Sequence, residues 1–157
     1  MYGVTRIDVC EEVTLISFNN IPLDTPLLSD IFTGFAQADI VIDMISQAAP
    51  IGDKIHISFS CMDSDMVKVL ALSKELQAKY PGMKPLVTSG NCKLQLYGEE
   101  MRHTPGVFAK MLSALAGLEE AVELKQITTS EVDISLLVLE SQREDVLRVL
   151  QQAFEIA

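Results

Sequence analysis

The sequence has few basic residues, and this shortage argues against nucleic-acid binding. Its 157 residues include 12 Lys and Arg against 22 Asp and Glu, which gives a formal net charge of -10. Affinity for a phosphate backbone comes mainly from Lys and Arg side chains that displace counterions. We therefore expect no nucleic-acid partner, and we attribute the acidity to solubility.

The chain also lacks a long hydrophobic run and a cysteine framework. No apolar stretch approaches the roughly 20 residues that span a bilayer, and the first residues do not form a basic region followed by an apolar one. The three cysteines, Cys10, Cys61 and Cys92, show no CxxC spacing, and an odd number cannot pair completely within one chain. We expect reduced, mostly buried thiols in a soluble, cytoplasmic protein without a membrane partner.

Recognisable catalytic and metal-binding motifs are missing as well. The 8 glycines do not form the GxxxxGK[ST] or GxGxxG loops that hold phosphates. The histidines, His56 and His103, have no nearby Cys or His at metal-ligand spacing, and no serine lies in a GxSxG elbow. The sequence thus predicts no catalytic residue, no metal and no cofactor.

What the chain does contain is an internal repeat, in which the second half follows the pattern of the first at an offset of roughly 80 residues. Each copy has a Pro-containing turn that opens a helix, an apolar strand that ends in a polar corner, an alternating strand and a second helix. These segments are residues 21–26, 42–47, 55–61 and 66–80 in the first copy, and residues 101–106, 124–131, 132–138 and 146–154 in the second. A duplication of this kind predicts two small, related domains.

The alternating segments predict strands that are buried on one face. Ile55, Ile57 and Phe59 alternate with polar residues, and residues 132–138 follow the same pattern with Leu137 as the exception. Sheets covered on one side are usually antiparallel or mixed. We therefore expect antiparallel sheets with the helices on the single apolar face.

The second helix of each copy has a start signal and an apolar stripe. In the first copy Asp63 is a suitable N-cap, and the apolar residues that recur at helical spacing after it are Met66, Val69, Leu70, Leu76 and Tyr80. In the second copy Ser141 to Glu144 matches a capping box, and the stripe that follows is Val146, Leu147, Leu150 and Phe154.

The order of elements in a copy predicts the ferredoxin-like βαββαβ plan of an α+β protein. The second copy ends without a closing strand, whereas the first has one at residues 84–88, before a Ser89-Gly90-Asn91 turn. The strand-like residues 4–9 have no role in the first copy, and soluble proteins avoid unpaired sheet edges. We predict that they complete the second sheet, so that a first domain (residues 13–90) is inserted in a second (residues 3–10 and 91–157).

The candidate site lies where the first helix of the second copy begins, opposite the corner that ends the next strand. A helix N-terminus presents unpaired amides that can hold a carboxylate, here those of Val107, Phe108 and Ala109. The corner supplies three hydroxyls and one carboxylate, suited to an ammonium group or a polar side chain, from Thr128, Thr129, Ser130 and Glu131. Together these groups fit a zwitterionic amino acid. In the alternative interpretation, Thr104 only caps the helix and Glu131 is a solvated charge.

At these residues the chain resembles the paired ACT domains of aspartokinase regulatory regions. Residues 98–111, with Met101, Pro105-Gly106-Val107 and Ala109-Lys110-Met111, are similar to the family's turn-and-helix motif. Residues 127–135 (ITTSEVDIS) are similar to the signature of its second copy, and residues 42–47 to that of its first. The resemblance covers essentially the whole chain. It implies a ferredoxin-like pair, one unit inserted in the other, that binds lysine or threonine as a feedback signal.

The resemblance also implies site residues and partners. By position, Asp24 and Gln47 would serve a pocket in the first copy. The pocket of the second copy would use the turn and the corner, that is Met101, Thr104, Pro105, Gly106, Val107, Thr129, Ser130 and Glu131. The family binds effectors where ACT units of two chains meet and commonly dimerises. The implied partners are a free amino acid, a second copy of the chain and an aspartokinase catalytic chain.

Two departures from the family pattern qualify these expectations. The first copy has Thr25-Pro26-Leu27 where the family turn has Pro-Gly, so we expect a hindered approach of ligand to backbone there. The kinase domain that precedes this region in aspartokinases is not in the sequence, so we expect this chain alone not to phosphorylate aspartate. The leading hypothesis is a regulatory amino-acid-binding module. The alternative is a structural dimerisation module or a regulatory subunit without a small-molecule ligand, which would have the same fold.

Overall fold

The structure is a computed structural model that describes residues 2–157. Within this range it contains six strands and four helices. In chain order they are β1 (Arg6–Pro22), α1 (Thr25–Gln37), β2 (Asp43–Gln47), β3 (Lys54–Met62), α2 (Met66–Lys79), β4 (Lys84–Tyr97), α3 (Val107–Ala116), β5 (Gln126–Thr129), β6 (Asp133–Leu139) and α4 (Arg143–Phe154). Strand β3 pairs antiparallel with β1 and β2, and β6 pairs antiparallel with β4 and β5. These pairings confirm the α+β class with antiparallel strands.

The chain divides into two compact units. The first unit is Glu12–Gly90, and the second is Asn91–Ala157 together with the start of the chain up to Glu11. Strands β1 and β4 each contribute to both units, and the backbone of each has a positive φ where the units divide, at Glu12 (φ 58°) and Gly90 (φ 69°). The predicted turn at Ser89-Gly90-Asn91 is wrong, because β4 runs through these residues and Gly90 takes its left-handed conformation inside the strand.

In the first unit the strand order is β2-β3-β1-β4. Strands β1 and β3 pair Ile16 with Phe59 and Phe18 with Ile57, so their apolar side chains lie on one face and pack against α1 and α2. Phe35 of α1 packs against Phe18 and Phe59, with ring centroids 6.1 and 5.2 Å apart. Such tilted and edge-to-face pairs contribute about 0.5–1.5 kcal/mol beyond the area they bury.

The start of α2 differs from the sequence-based expectation. A 3₁₀ turn, Asp63–Asp65, precedes the helix, and the predicted N-cap Asp63 makes no capping bond. Its carboxylate instead accepts hydrogen bonds from the Thr14 hydroxyl (2.6 Å) and the Gly90 amide (3.4 Å). Leu70, expected in the apolar stripe, is exposed, whereas Ser73 is buried. The helix is therefore rotated away from the face that the apolar spacing alone indicates.

In the second unit the strand order is β1-β4-β6-β5. Val4 is fully buried in this unit's core, and the Thr5 amide donates to the Tyr97 carbonyl at 2.8 Å. Each fully buried aliphatic side chain of this size contributes about 1.5–3 kcal/mol. The start of the chain is therefore held by both packing and hydrogen bonding.

Helices α3 and α4 cover the apolar face of the second unit's strands. Helix α3 buries Val107, Met111 and Leu115, which recur every four residues along one stripe. Helix α4 begins at Arg143 after a 3₁₀ turn, so the expected Ser141–Glu144 capping box does not form. Among residues 2–157, no helix is long and apolar enough to cross a bilayer.

Candidate functional site

A cleft of about 540 Å³ opens in the second unit, where α3 begins beside the corner between β5 and β6. One wall is the segment that runs from Met101 into the first turn of α3. The opposite wall is the end of β5 with the corner that follows, and Ile134 of β6 contributes to the lining. The structure thus brings together the two parts that the sequence placed in one site.

The turn before α3 exposes the start of that helix to the cleft. Gly106 occupies the N-cap position with φ 86°, a left-handed conformation that favours glycine. The Thr104 hydroxyl donates to the Glu100 carbonyl at 2.8 Å, so Thr104 does not cap the helix. The Lys110 amide is bonded to the Gly106 carbonyl, and the three amides before it precede the first intrahelical bond of α3. These amides, with the positive end of the helix dipole, can accept a carboxylate.

The start of the chain packs against the turn before α3. Gly3 has φ 90°, and a side chain there would lie 3.2 Å from Thr104 Oγ1 and 3.3 Å from Val107 Cγ2. The Lys110 ammonium lies 3.9 Å from the centre of the Tyr2 ring. Gly3 is not among the site residues predicted from the sequence. The available signal for its role was its position as an isolated glycine ahead of the strand, since such a glycine often marks a place where another segment approaches the backbone closely.

The polar corner is internally hydrogen-bonded. The Ser130 hydroxyl donates to the Asp133 carboxylate and accepts from the Val132 amide. Glu131 is 82% exposed, and its Oε2 lies 4.0 Å from Nη1 of Arg102 in the opposite wall. Its carboxylate is thus a solvated charge with one loose ion pair, as in the alternative interpretation of the sequence.

The interior of the cleft is more apolar than the sequence suggested. Val107 and Ile134 are 5% and 4% exposed, while Phe108 at the rim is 40% exposed. Ile127 and Ile134 were missed, because alternating strand residues are ordinarily assigned to the core. Their positions on either side of the corner were the available signal.

The predicted site residues separate into three groups. Those that line the cleft are Met101, Thr104, Gly106, Val107, Phe108, Thr129, Ser130 and Glu131. Pro105, Ala109 and Thr128 adjoin them in the chain without lining the cleft. Asp24 and Gln47 lie in the first unit, both exposed, and do not line this cleft.

The buried cysteines do not supply a reactive group. Burial, with a smaller contribution from Asp65, raises the pKa of the Cys61 thiol to about 11. Burial, followed by Glu140, raises the pKa of Cys92 to about 12. Both are therefore protonated at neutral pH, and the thiolate is the nucleophilic form. Within residues 2–157, no group of three or more His, Cys, Asp and Glu side chains is placed to hold a metal ion.

The part of the chain that forms the cleft is similar to known proteins. The family model for the ACT domain matches residues 94–154, which include every residue that lines the cleft. The aspartokinase of Bacillus sp. (strain MGA3) is 33% identical over 150 residues, covering 94% of this chain and 35% of that protein. This chain carries an ACT domain of the aspartokinase regulatory type. It spans about a third of the length of the curated relatives it matches.

Solved structures support the same assignment over the whole chain. The ligand-free regulatory subunit of aspartate kinase from Thermus thermophilus has a TM-score of 0.84 at 26% identity, covering 97% of this chain and 99% of that one. A chain in a structure of aspartokinase alpha and beta subunits has a TM-score of 0.85 at 29% identity, with coverage of 98% and 99%. The ferredoxin-like ACT fold expected from the sequence is confirmed.

Proposed function

We propose that this chain is an allosteric, amino-acid-binding module of aspartokinase type, and that the cleft of the second unit holds the amino acid. The observation that carries the proposal is the meeting of the α3 N-terminus with the Glu131 corner in one cleft. The amides of Val107, Phe108 and Ala109 would bind the α-carboxylate. The Glu131 carboxylate would interact with the α-ammonium group at the open edge.

The two units would be two ACT domains, the first inserted in the second. The boundaries predicted from the sequence, residues 13–90 and residues 3–10 with 91–157, lie within two residues of those of the compact units, which supports this proposal. Asp24 and Gln47 would mark the equivalent place in the first unit. Helix α1 starts at Thr25-Pro26 there instead of after a Pro-Gly turn, so we expect that place to bind weakly or not at all.

From the resemblance to aspartokinase regulatory regions, we propose lysine or threonine as the effector. We likewise propose a second copy of the chain, in a homodimer, and an aspartokinase catalytic chain as the partners of this module. The similarity to a chain in a structure of alpha and beta subunits favours the last of these. On this proposal the chain itself has no kinase activity and acts on a separate catalytic chain or domain.

Regulation would proceed by a shift between conformations. A ligand changes such an equilibrium only by the difference in its affinity for the two states. An amino acid bound between the α3 turn and the β5–β6 corner would favour whichever assembly keeps these two walls together. The module would transmit this preference to its catalytic partner.

Thermal unfolding with added lysine or threonine, together with calorimetry, tests the proposal. A ligand at 100 times its dissociation constant adds about 2.7 kcal/mol to the free energy of unfolding. Phe108→Glu should abolish the stabilisation by ligand, because the new carboxylate on the first turn of α3 competes with the carboxylate of the ligand for the same amides. The substitution should not disturb the helix itself, since a negative charge near a helix N-terminus is favourable. Leu112→Glu, one turn later at similar exposure, is the matched control.

A chain whose melting temperature no amino acid changes would contradict the proposal and would fit the alternative of a structural dimerisation module. Retention of binding in Phe108→Glu would place the ligand elsewhere. The two results separate absence of binding from an error in the location of the site.

A further inference from the structure

We infer that the cleft of the second unit selects an amino acid with an uncharged, mainly apolar side chain and discriminates against a cationic one such as lysine. The inference rests on the proposed function and narrows the chemical class of its ligand. Once the amides of α3 hold the α-carboxylate, selection depends on the groups that the cleft presents to the side chain of the ligand.

Apolar side chains form about half of the lining of the cleft, and they lie between the α3 turn and the strands. Val107 and Ile134 are almost fully buried there, and Met101 and Ile127 are half-buried beside them. An aliphatic side chain gains binding free energy for each methylene group that it buries against such side chains. An ammonium group in the same place loses its hydration without a partner.

Two of the three hydroxyl side chains that line the cleft, Thr104 and Ser130, already donate their protons within the chain. Thr104 donates its proton to the Glu100 carbonyl, and Ser130 donates its proton to Asp133. Asp133 also accepts from the side-chain amide of Gln95 at 2.6 Å, so each of its carboxylate oxygens has a donor. Asp133 does not line the cleft, so the hydroxyl oxygens offer an ammonium group only neutral acceptors, which compensate poorly for the loss of its hydration.

Glu131 is the acidic residue in the described lining of the cleft, and it is poorly placed for a buried cation. Its side chain is 82% exposed and lies 4.0 Å from the Arg102 guanidinium. Ion pairs this exposed contribute little to binding or stability, because solvent screens them. The side-chain ammonium group of lysine would have to share this carboxylate with the α-ammonium group of the ligand and with Arg102, both of which repel it. The α3 N-terminus adds further positive potential.

The remaining charges nearby do not change this balance. Glu99 and Glu100 belong to the exposed turn ahead of the cleft and do not line it, and Glu99 accepts a hydrogen bond from the Tyr97 hydroxyl. His103, in the same turn, is also exposed and outside the lining. Uncharged side chains are therefore favoured over cationic ones.

A comparison of norleucine with lysine isolates the charge, because the two side chains have closely similar carbon chains and differ chiefly in the terminal ammonium group. We expect calorimetry on the intact chain to give norleucine at least about tenfold higher affinity than lysine. Phe108→Glu should remove the norleucine signal and Leu112→Glu should retain it. Arg102→Gln should bring the affinity ratio closer to one, because it removes the positive charge that repels the side-chain ammonium group of lysine near Glu131.

Lysine binding as tightly as norleucine, or more tightly, would overturn the inference while leaving the proposed amino-acid site in place. Binding of norleucine that survives Phe108→Glu would also overturn it, since the ligand would then lie outside this cleft. A chain that binds neither norleucine nor any of the standard amino acids would refute the proposed function itself, and the inference with it.

Discussion

The carbonyl oxygen of Gly3 lies against Gly98 so closely that a methyl group on Gly98 would be 1.7 Å from it. Gly98 is also fixed by its amide, which donates to the Val132 carbonyl at 2.9 Å. Gly98 therefore joins the start of the chain to the segment that leads into the cleft. Its φ of -174° is ordinary extended backbone, so the need for glycine comes from this contact and not from backbone strain.

Gly98→Ala should strongly destabilise the second unit, because backbone atoms occupy the space that the methyl group needs. Overpacking costs about 1–3 kcal/mol, and we expect the upper end of that range. Gly117→Ala is the control, since its methyl group would meet the nearest atom at 3.5 Å. Urea unfolding measures both, and equal midpoints for the two variants would contradict the close approach.

Asp63→Ala should destabilise the first unit more than Thr14→Val does. Thr14 is fully buried, and loss of Asp63 leaves its hydroxyl without the 2.6 Å acceptor. An unsatisfied buried polar group costs about 1–3 kcal/mol, whereas Thr14→Val leaves a half-exposed carboxylate that water can reach. A double-mutant cycle by chemical denaturation measures the coupling, and additive losses would rule out the bond as a stabilising contact.

Gln142→Ala should loosen the loop between α3 and β5. The buried Gln142 side chain donates to the Ala121 carbonyl at 2.8 Å and accepts from the Glu123 amide at 2.9 Å. Both backbone groups lose a partner in the variant, at a cost of about 1–3 kcal/mol. Hydrogen exchange of the Glu123 amide should accelerate, and Ser141→Ala, at the exposed neighbouring residue, should leave it protected.

Stability should fall as the pH rises above 9. The pKa values of the Cys61 and Cys92 thiols are raised from 9.0 to about 11 and about 12 in the folded chain. The unfolded chain therefore releases these protons first, so the contribution is complete below pH 9 and is lost between pH 9 and pH 11–12. Melting temperatures across this range should decline less steeply in Cys92→Ala.

Exposed Cys10 should be the thiol that reacts with a disulfide reagent in the native state.

The sequence predicted the fold well because periodicity records which face of a strand is buried. Ile55, Ile57 and Phe59 alternate in the sequence and are buried in the structure. It predicted helix starts less well, because the residue that could cap a helix had another partner. Asp63 bonds Thr14 and Thr104 bonds Glu100, contacts whose partners spacing alone does not identify.

The candidate site was predictable in position but not in character. The Pro-Gly turn and the Thr-Thr-Ser-Glu corner are local signals, and both reach the same cleft. The apolar contribution of Ile127 and Ile134, and the pairing of Arg102 with Glu131, depend on which side chains face each other across it. Such tertiary contacts leave no characteristic spacing in the sequence, so the sequence alone does not reveal them.

The passage of β1 and β4 through both units restricts how the protein can be dissected. A single cut after Glu11 would remove a strand and the buried Val4 from the second unit, although most of that unit begins eighty positions later. To produce that unit alone, a gene would have to join residue 11 to residue 91 through a short linker. Proteolysis within the first eleven residues should likewise disable a cleft whose lining begins at Met101.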